Sequence, residues 1–196
     1  MTFIETVPEA DAAGAVAEMY EADRNAFGFL PNFTRAFSLR PEVYAAWRQL
    51  NGAIRATMDL RRYELATLAA ARRLRSSYCS LAHGTLLADK FLEPEAVSAA
   101  VRDYSSAGLE PAEVAVMDLA DKVASDATSV AQEDIDRLRE FGLSDAEILE
   151  VVLAAAARCF FSKTLDALGA APDAKYLALE PELRETRTFG RPIAAE

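Results

Sequence analysis

One histidine and two cysteines in 196 residues leave little material for a metal centre. A structural or catalytic zinc site draws three or four ligands from closely spaced His and Cys. No such cluster is present, and nothing in the sequence calls for a bound cofactor, so we expect neither. Glycine and proline are also sparse, at 8 each, and alanine is abundant. That balance disfavours a fold of many tight turns and favours helix. No stretch alternates apolar and polar residues for long enough to make a strand. Positive charge is in deficit: 21 Lys and Arg face 31 Asp and Glu, a net charge of −10. Such a surface repels phosphate backbones and anionic lipid, so neither nucleic acid nor a membrane is an expected partner. Long apolar runs are missing too. The longest, Val151 to Ala157, stops at Arg158, far short of the ~20 residues that cross a bilayer. Met1-Thr2-Phe3-Ile4-Glu5 lacks the charged and apolar regions of a signal peptide, and a cytoplasmic location is expected. In that reducing setting two cysteines read as free thiols, not as a disulfide.

What is present is a succession of helical patterns, with 52% hydrophobic residues to bury. Residues 8–26 read as a helix that Pro8 opens and Gly28 closes. Pro31 interrupts the chain, and Asn32 is placed to cap a short helix over 33–39. Pro41 opens a longer helix in which Val43, Trp47, Leu50 and Ile54 form one stripe at i, i+4, i+7, i+11. Trp47 in that stripe reads as core. A helix over 61–75 follows, with Leu65, Leu68 and Ala69 on its buried side. Glu64 lies near its start, where the helix dipole would welcome a solvated carboxylate. Ser76 or Ser77 caps the next helix, which runs to about Phe91. Further helices read over 95–104, 111–125 and 131–141. Ser144-Asp145-Ala146-Glu147 matches a capping box and starts the most apolar helix, expected to be central. After Gly169, Pro181, Pro192 and several charges suggest an extended arm, one able to lie on another subunit. The expected fold is all-α, a single domain over 1–196. It comprises N-terminal helices in 1–57, two core units over about 60–91 and 143–169, and a tail over 172–196.

The chemistry gathers in Arg75-Ser76-Ser77-Tyr78-Cys79-Ser80-Leu81-Ala82-His83-Gly84. Cys79 and the single histidine, His83, stand four apart, one above the other on a helix, with Ala82 and Leu86 on the same face. The plain alternative is that Cys79 packs as a small hydrophobe and His83 is a hydrogen-bonded core residue. The two core units repeat one pattern at an offset of 83 residues. Leu60 to Glu64 aligns with Leu143 to Glu147, Ser76 with Cys159, Cys79 with Ser162, and His83 with Asp166. Paired helical units of this kind bury their apolar faces on each other.

Glu64, Ser76, Cys79 and His83 spell E-x11-S-x2-C-x3-H. This resembles the E-x11-C-x2-C-x3-H motif of the AhpD-like alkylhydroperoxidases, within the carboxymuconolactone decarboxylase family. Gly28-Phe29-Leu30-Pro31-Asn32, Arg40-Pro41-Glu42, Ala167-Leu168-Gly169 and Pro172-Asp173 are similar to the peroxidase-related subgroup, over roughly 20–180. The resemblance implies an all-α bundle with an internal two-fold repeat, assembled as a trimer or hexamer. It implies that Cys79 is the thiol that attacks a hydroperoxide, with His83 and Glu64 relaying protons. Ser76 stands where the family's first cysteine would resolve the oxidised thiol, and Tyr78 where some members carry a second histidine. Ser76 can cap the helix or donate to Cys79, but it cannot close a disulfide. Resolution would fall to Cys159, which otherwise reads as a buried structural thiol, or to an external thiol reductant. Two other readings stay open: decarboxylase-like acid–base chemistry by His83 and Glu64 on a small carboxylated metabolite, and a non-catalytic oligomeric family member.

Overall fold

The computed structural model describes residues 2–195, and the described chain is all-α. Ten α-helices follow in order among these residues: α1 (Ala15–Phe27), α2 (Asn32–Ala36), α3 (Pro41–Thr57), α4 (Leu60–Arg73), α5 (Ser77–Lys90), α6 (Pro94–Asp103), α7 (Pro111–Asp126), α8 (Gln132–Glu140), α9 (Asp145–Leu168) and α10 (Pro181–Arg187). Short 3-10 turns stand at Glu9–Asp11, Tyr104–Ser106, Ala127–Ser129 and Ala174–Ala178. None of the described helices is long and apolar enough to cross a membrane.

The central helix is α4, which packs against α5, α7 and α9. Every residue from Tyr63 to Ala71 is buried. The alanines at 66 and 69–71 let neighbouring helices approach on every side, at little cost in side-chain entropy. This corrects the expectation that α9 would be the enclosed helix. α9 buries Val151, Ala155 and Leu165 but leaves Leu149, Leu153 and Phe160 exposed. The capping box of α9 forms as expected: the Ser144 hydroxyl accepts from the Glu147 amide, and the Glu147 carboxylate accepts from the Ser144 amide.

Other local expectations shift in the structure. The first helix is broken at Gly14, whose φ of 52° suits glycine, so a 3-10 turn precedes α1. Pro31, not Asn32, takes the cap position of α2. In α3 Leu50 is exposed and Tyr44 is buried beside Trp47 and Ile54, so the buried stripe runs through 44, 47 and 54.

The two core units differ in backbone. α4 and α5 are separated by Leu74–Ser76, with Arg75 in left-handed conformation and the Ser76 amide donating back to the Ala71 carbonyl. α9 runs straight through the corresponding stretch. The C-terminal segment is not an extended arm. It folds onto its own chain: α10 packs on α5 and α6, the Gly190 amide donates to the Ser77 hydroxyl, and the Ala194 amide donates to the Pro172 carbonyl.

Candidate active site

Cys79 lies in the first turn of α5, where the unpaired amides of a helix start favour negative charge. It is 2% exposed. Two side chains of α9 reach its sulfur. The Ser162 hydroxyl donates to Cys79 Sγ at 3.1 Å, and Arg158 Nη1 donates to it at 3.6 Å. Cys79 and Ser162 are the positions that the internal repeat aligns, so the two core units meet at the thiol. Ser76 does not take part. It is fully buried at the cap position, its hydroxyl caps nothing and bonds to no atom of Cys79, and it turns toward Asp166. The donor expected of Ser76 comes from Ser162.

Arg158 is buried, with a side chain spanned by three partners. It donates to Cys79 and, from Nη2, to the Tyr63 hydroxyl at 3.2 Å, and its guanidinium lies 5.6 Å from the centre of the Phe161 ring. Tyr63 in turn donates to Asn51 Oδ1 at 2.7 Å. Burial would lower the basicity of Arg158, but the Cys79 and Tyr63 contacts reverse that and raise it. Nothing local in the sequence marks Arg158. Its only signal was that it interrupts the longest apolar run.

Glu64 and His83 form a second couple. Glu64 is 1% exposed, which excludes a solvated first-turn carboxylate. Its Oε2 lies 2.5 Å from His83 Nδ1. Burial pushes the Glu64 carboxyl up, yet His83, Arg55 and Arg158 together hold it below the usual range. Burial, helped by the Arg158 and Arg55 charges, lowers His83 below its ordinary 6.5 despite Glu64. The couple at neutral pH is therefore a carboxylate accepting from Nδ1–H of a neutral ring, which leaves Nε2 with a free lone pair. His83 makes no direct hydrogen bond to Cys79 among the described residues; both line one cavity of about 380 Å³.

Aromatic rings build that cavity, and the thiol stands in its wall. Trp47 stacks on Phe161 with centroids 5.0 Å apart, and Phe33 meets Phe161 edge-on at 5.6 Å. Trp47 is thus both core and cavity wall. Tyr78 fixes the loop and the C-terminal segment around the site. Its hydroxyl donates to Asp173 and accepts from the Phe33 amide, and Asp173 also accepts from the Asn32 amide. Cys159 lies on another side of α9, partly buried and outside this cavity, and burial raises its thiol. Both cysteines are free. Among the described residues no group of His, Cys, Asp and Glu is arranged to hold a metal ion.

The all-α bundle that carries this site is shared with AhpD-like proteins of known structure. Across 97% of this chain and 98% of the other, the fold superposes on an alkylhydroperoxidase AhpD-core, peroxidase-related protein of Ralstonia eutropha JMP134, with a TM-score of 0.80 at 19% identity. A peroxidase-related protein of Silicibacter sp. TM1040 superposes over 90% of this chain and 94% of its own, with a TM-score of 0.81 at 19% identity. The debrominase Bmp8, as a cysteine-to-alanine variant in complex with 2,3,4-tribromopyrrole, superposes over 95% of this chain and 96% of its own, with a TM-score of 0.72 at 17% identity. A search of curated protein sequences finds no match. Residues 41–122 match the model of the carboxymuconolactone decarboxylase family. The chain has the fold of these AhpD-like structures, and the segment that matches the family model holds Glu64, Cys79 and His83. Arg158 and Ser162 lie outside that segment.

Proposed function

We propose that the protein is a one-cysteine peroxidase that reduces an organic hydroperoxide. The observation that carries this reading is the setting of Cys79: a helix-start thiol in a cavity wall, with a guanidinium and a hydroxyl donating to its sulfur. These donors stabilise a thiolate, the form that is nucleophilic. In the reaction the sulfur attacks the terminal peroxide oxygen. An S–O bond forms, the O–O bond breaks, and the departing alkoxide leaves as an alcohol after taking a proton. His83, one turn along α5, accepts the thiol proton through water or substrate and returns it to the leaving oxygen. Glu64 holds the ring with Nδ1 protonated, so that Nε2 does this work. Cys79 is then a sulfenic acid.

Ser76 cannot resolve it, and Cys159 stands outside the cavity with its thiol kept protonated by burial. An external thiol is therefore the reductant. Two equivalents restore the Cys79 thiol and yield water and the reductant's disulfide. The exposed apolar face of α9 supports a homo-oligomeric assembly.

Mass spectrometry of reduced protein after substoichiometric cumene hydroperoxide, with a sulfenic-acid trap, tests the reading. We expect rapid trapping at Cys79 alone and none in Cys79→Ser. Slow, equal modification of both cysteines would overturn it. A second reading, acid–base chemistry by His83 and Glu64 on a carboxylated metabolite, is favoured by one observation: the couple is complete without Cys79. Turnover that survives alkylation of Cys79 would select it.

A further inference from the structure

The protein is acidic overall, yet its cavity is not. Four cations stand in the wall, Arg48, Arg55, Arg158 and Lys175, against two carboxylates, Asp23 and Asp173. Both carboxylates are occupied. Asp23 is fully buried and accepts from Thr34, Tyr44 and Arg48. Asp173 accepts from Tyr78 and the Asn32 amide. Two of the cations are occupied as well: Arg48 by Asp23, and Arg158 by Cys79 and Tyr63.

Arg55 and Lys175 remain. The nearest carboxylate to Arg55 is Glu64 at 3.9 Å, and Glu64 is already bonded to His83. Lys175 has no carboxylate within ion-pair distance among the described residues. Its ammonium lies instead 4.9 Å from the centre of the Phe29 ring and 5.0 Å from that of Tyr176. Arg55 and Lys175 both line the catalytic cavity and the adjoining groove of about 510 Å³ that opens beside His83. They therefore stand where the two spaces join, on α3 and on the turn Ala174–Ala178. The same cavity is lined by the rings of Phe33, Trp47 and Phe161 and by Cys79.

We propose that this cavity selects a small aromatic acid, or an acid of similar flat apolar shape, whose anionic head is held by Arg55 and Lys175 and whose body lies among Phe33, Trp47 and Phe161 toward Cys79. This rests on the peroxidase reading and narrows it: the preferred hydroperoxide carries a carboxylate. Arg55, whose one ion pair is long and made to a carboxylate already bonded to His83, and Lys175, which has none among the described residues, attract an anion at this mouth more strongly than they would in open water. A cavity of this size takes one ring with a short chain.

The test separates binding from turnover. Cys79→Ser protein is titrated by calorimetry with hydrocinnamate and with its uncharged isostere, hydrocinnamamide, at low ionic strength. Fluorescence of Trp47, the only tryptophan and part of the cavity wall, reports where the ligand sits. We expect the carboxylate to bind at least about tenfold more tightly than the amide and to lose that advantage as salt screens the mouth. Arg55→Gln with Lys175→Gln should remove the advantage and leave amide binding unchanged. Both residues are partly or fully exposed, so the fold tolerates the exchange. Equal affinities, no binding of either compound, or an advantage that survives the double substitution would each overturn the proposal. Binding selectivity without turnover of any hydroperoxide would uphold the anion site and overturn only the peroxidase reading.

Discussion

At the scale of the residue, the surroundings of the candidate thiol are made by two side chains far away in sequence. Arg158 and Ser162 come to Cys79 from α9, and they do for the thiol what a neighbouring Ser76 was expected to do. Charge-assisted hydrogen bonds contribute about 1.5–3 kcal/mol each. Arg158→Met should therefore slow alkylation of Cys79 by iodoacetamide at neutral pH about tenfold or more. The measurement is made in a Cys159→Ser background, because the Arg158 charge acts on the Cys159 thiol as well. His83 gives a second prediction, in pH. Its folded value lies below the ordinary 6.5, so the unfolded chain binds the proton first. Stability therefore falls as pH drops below about 6.5, and the Glu64 carboxylate, held low, adds to the loss at more acidic pH. In the proposed mechanism a neutral His83 is the active form, so the acid limb of turnover should lie below 6.5. Glu64→Gln removes the one group that raises His83 and should move that limb to still lower pH. A limb that stays put, or moves up, would mean that His83 is not the titrating group.

At the scale of the element, the most consequential feature is the break between α4 and α5. It places Cys79 at a helix start, and the C-terminal segment clamps it: the Gly190 amide donates to the Ser77 hydroxyl, and Arg75 Nη2 donates to the Phe189 carbonyl. A Cβ on Gly190 would overlap the Arg75 carbonyl oxygen. Gly190→Ala should thus loosen the clamp, raise hydrogen exchange at the start of α5 and lower the melting temperature. Ser144→Ala, which removes the cap of α9, should cost about 1 kcal/mol and lower it by roughly 2–4 °C. The cap, the break at Ser76 and the face shared by Cys79, Ala82, His83 and Leu86 were all legible in the sequence, because each rests on contacts or spacings within a few residues. The face of α9 that meets solvent was not legible. Leu149, Leu153 and Phe160 look like core by composition, and only the packing of α4 against its neighbours shows which side of α9 is used. Glu64 misled for the same reason: its spacing suits a solvated first turn, and its burial comes from helices distant in the chain. Arg158 was marked only by its interruption of an apolar run, since its partners Cys79 and Tyr63 come from other helices.

At the scale of the whole molecule, the unexplained surface is that outer side of α9. Leu149, Leu153, Ala156 and Phe160 recur at i, i+4, i+7, i+11, and all are exposed. The three large side chains are 55, 40 and 46% exposed. Alternating steps of four and three along one helix are the seam of a two-helix coiled coil, so the face fits another helix better than it fits water. Two copies of α9 related by a two-fold axis would cover each other with the same residues. A two-fold seam yields even-numbered assemblies, which favours a hexamer over a trimer among the forms that the family resemblance implies. Sedimentation equilibrium of the wild type should accordingly return an even-numbered species. Leu149→Glu with Leu153→Glu should dissociate it into smaller units, through like charges facing across the seam. Both positions are exposed in the single chain, so its helical content and its Cys79 reactivity should persist in the variant. An odd-numbered wild-type assembly, or one that the double substitution leaves intact, would show that α9 is not the seam and that its apolar face is covered in some other way.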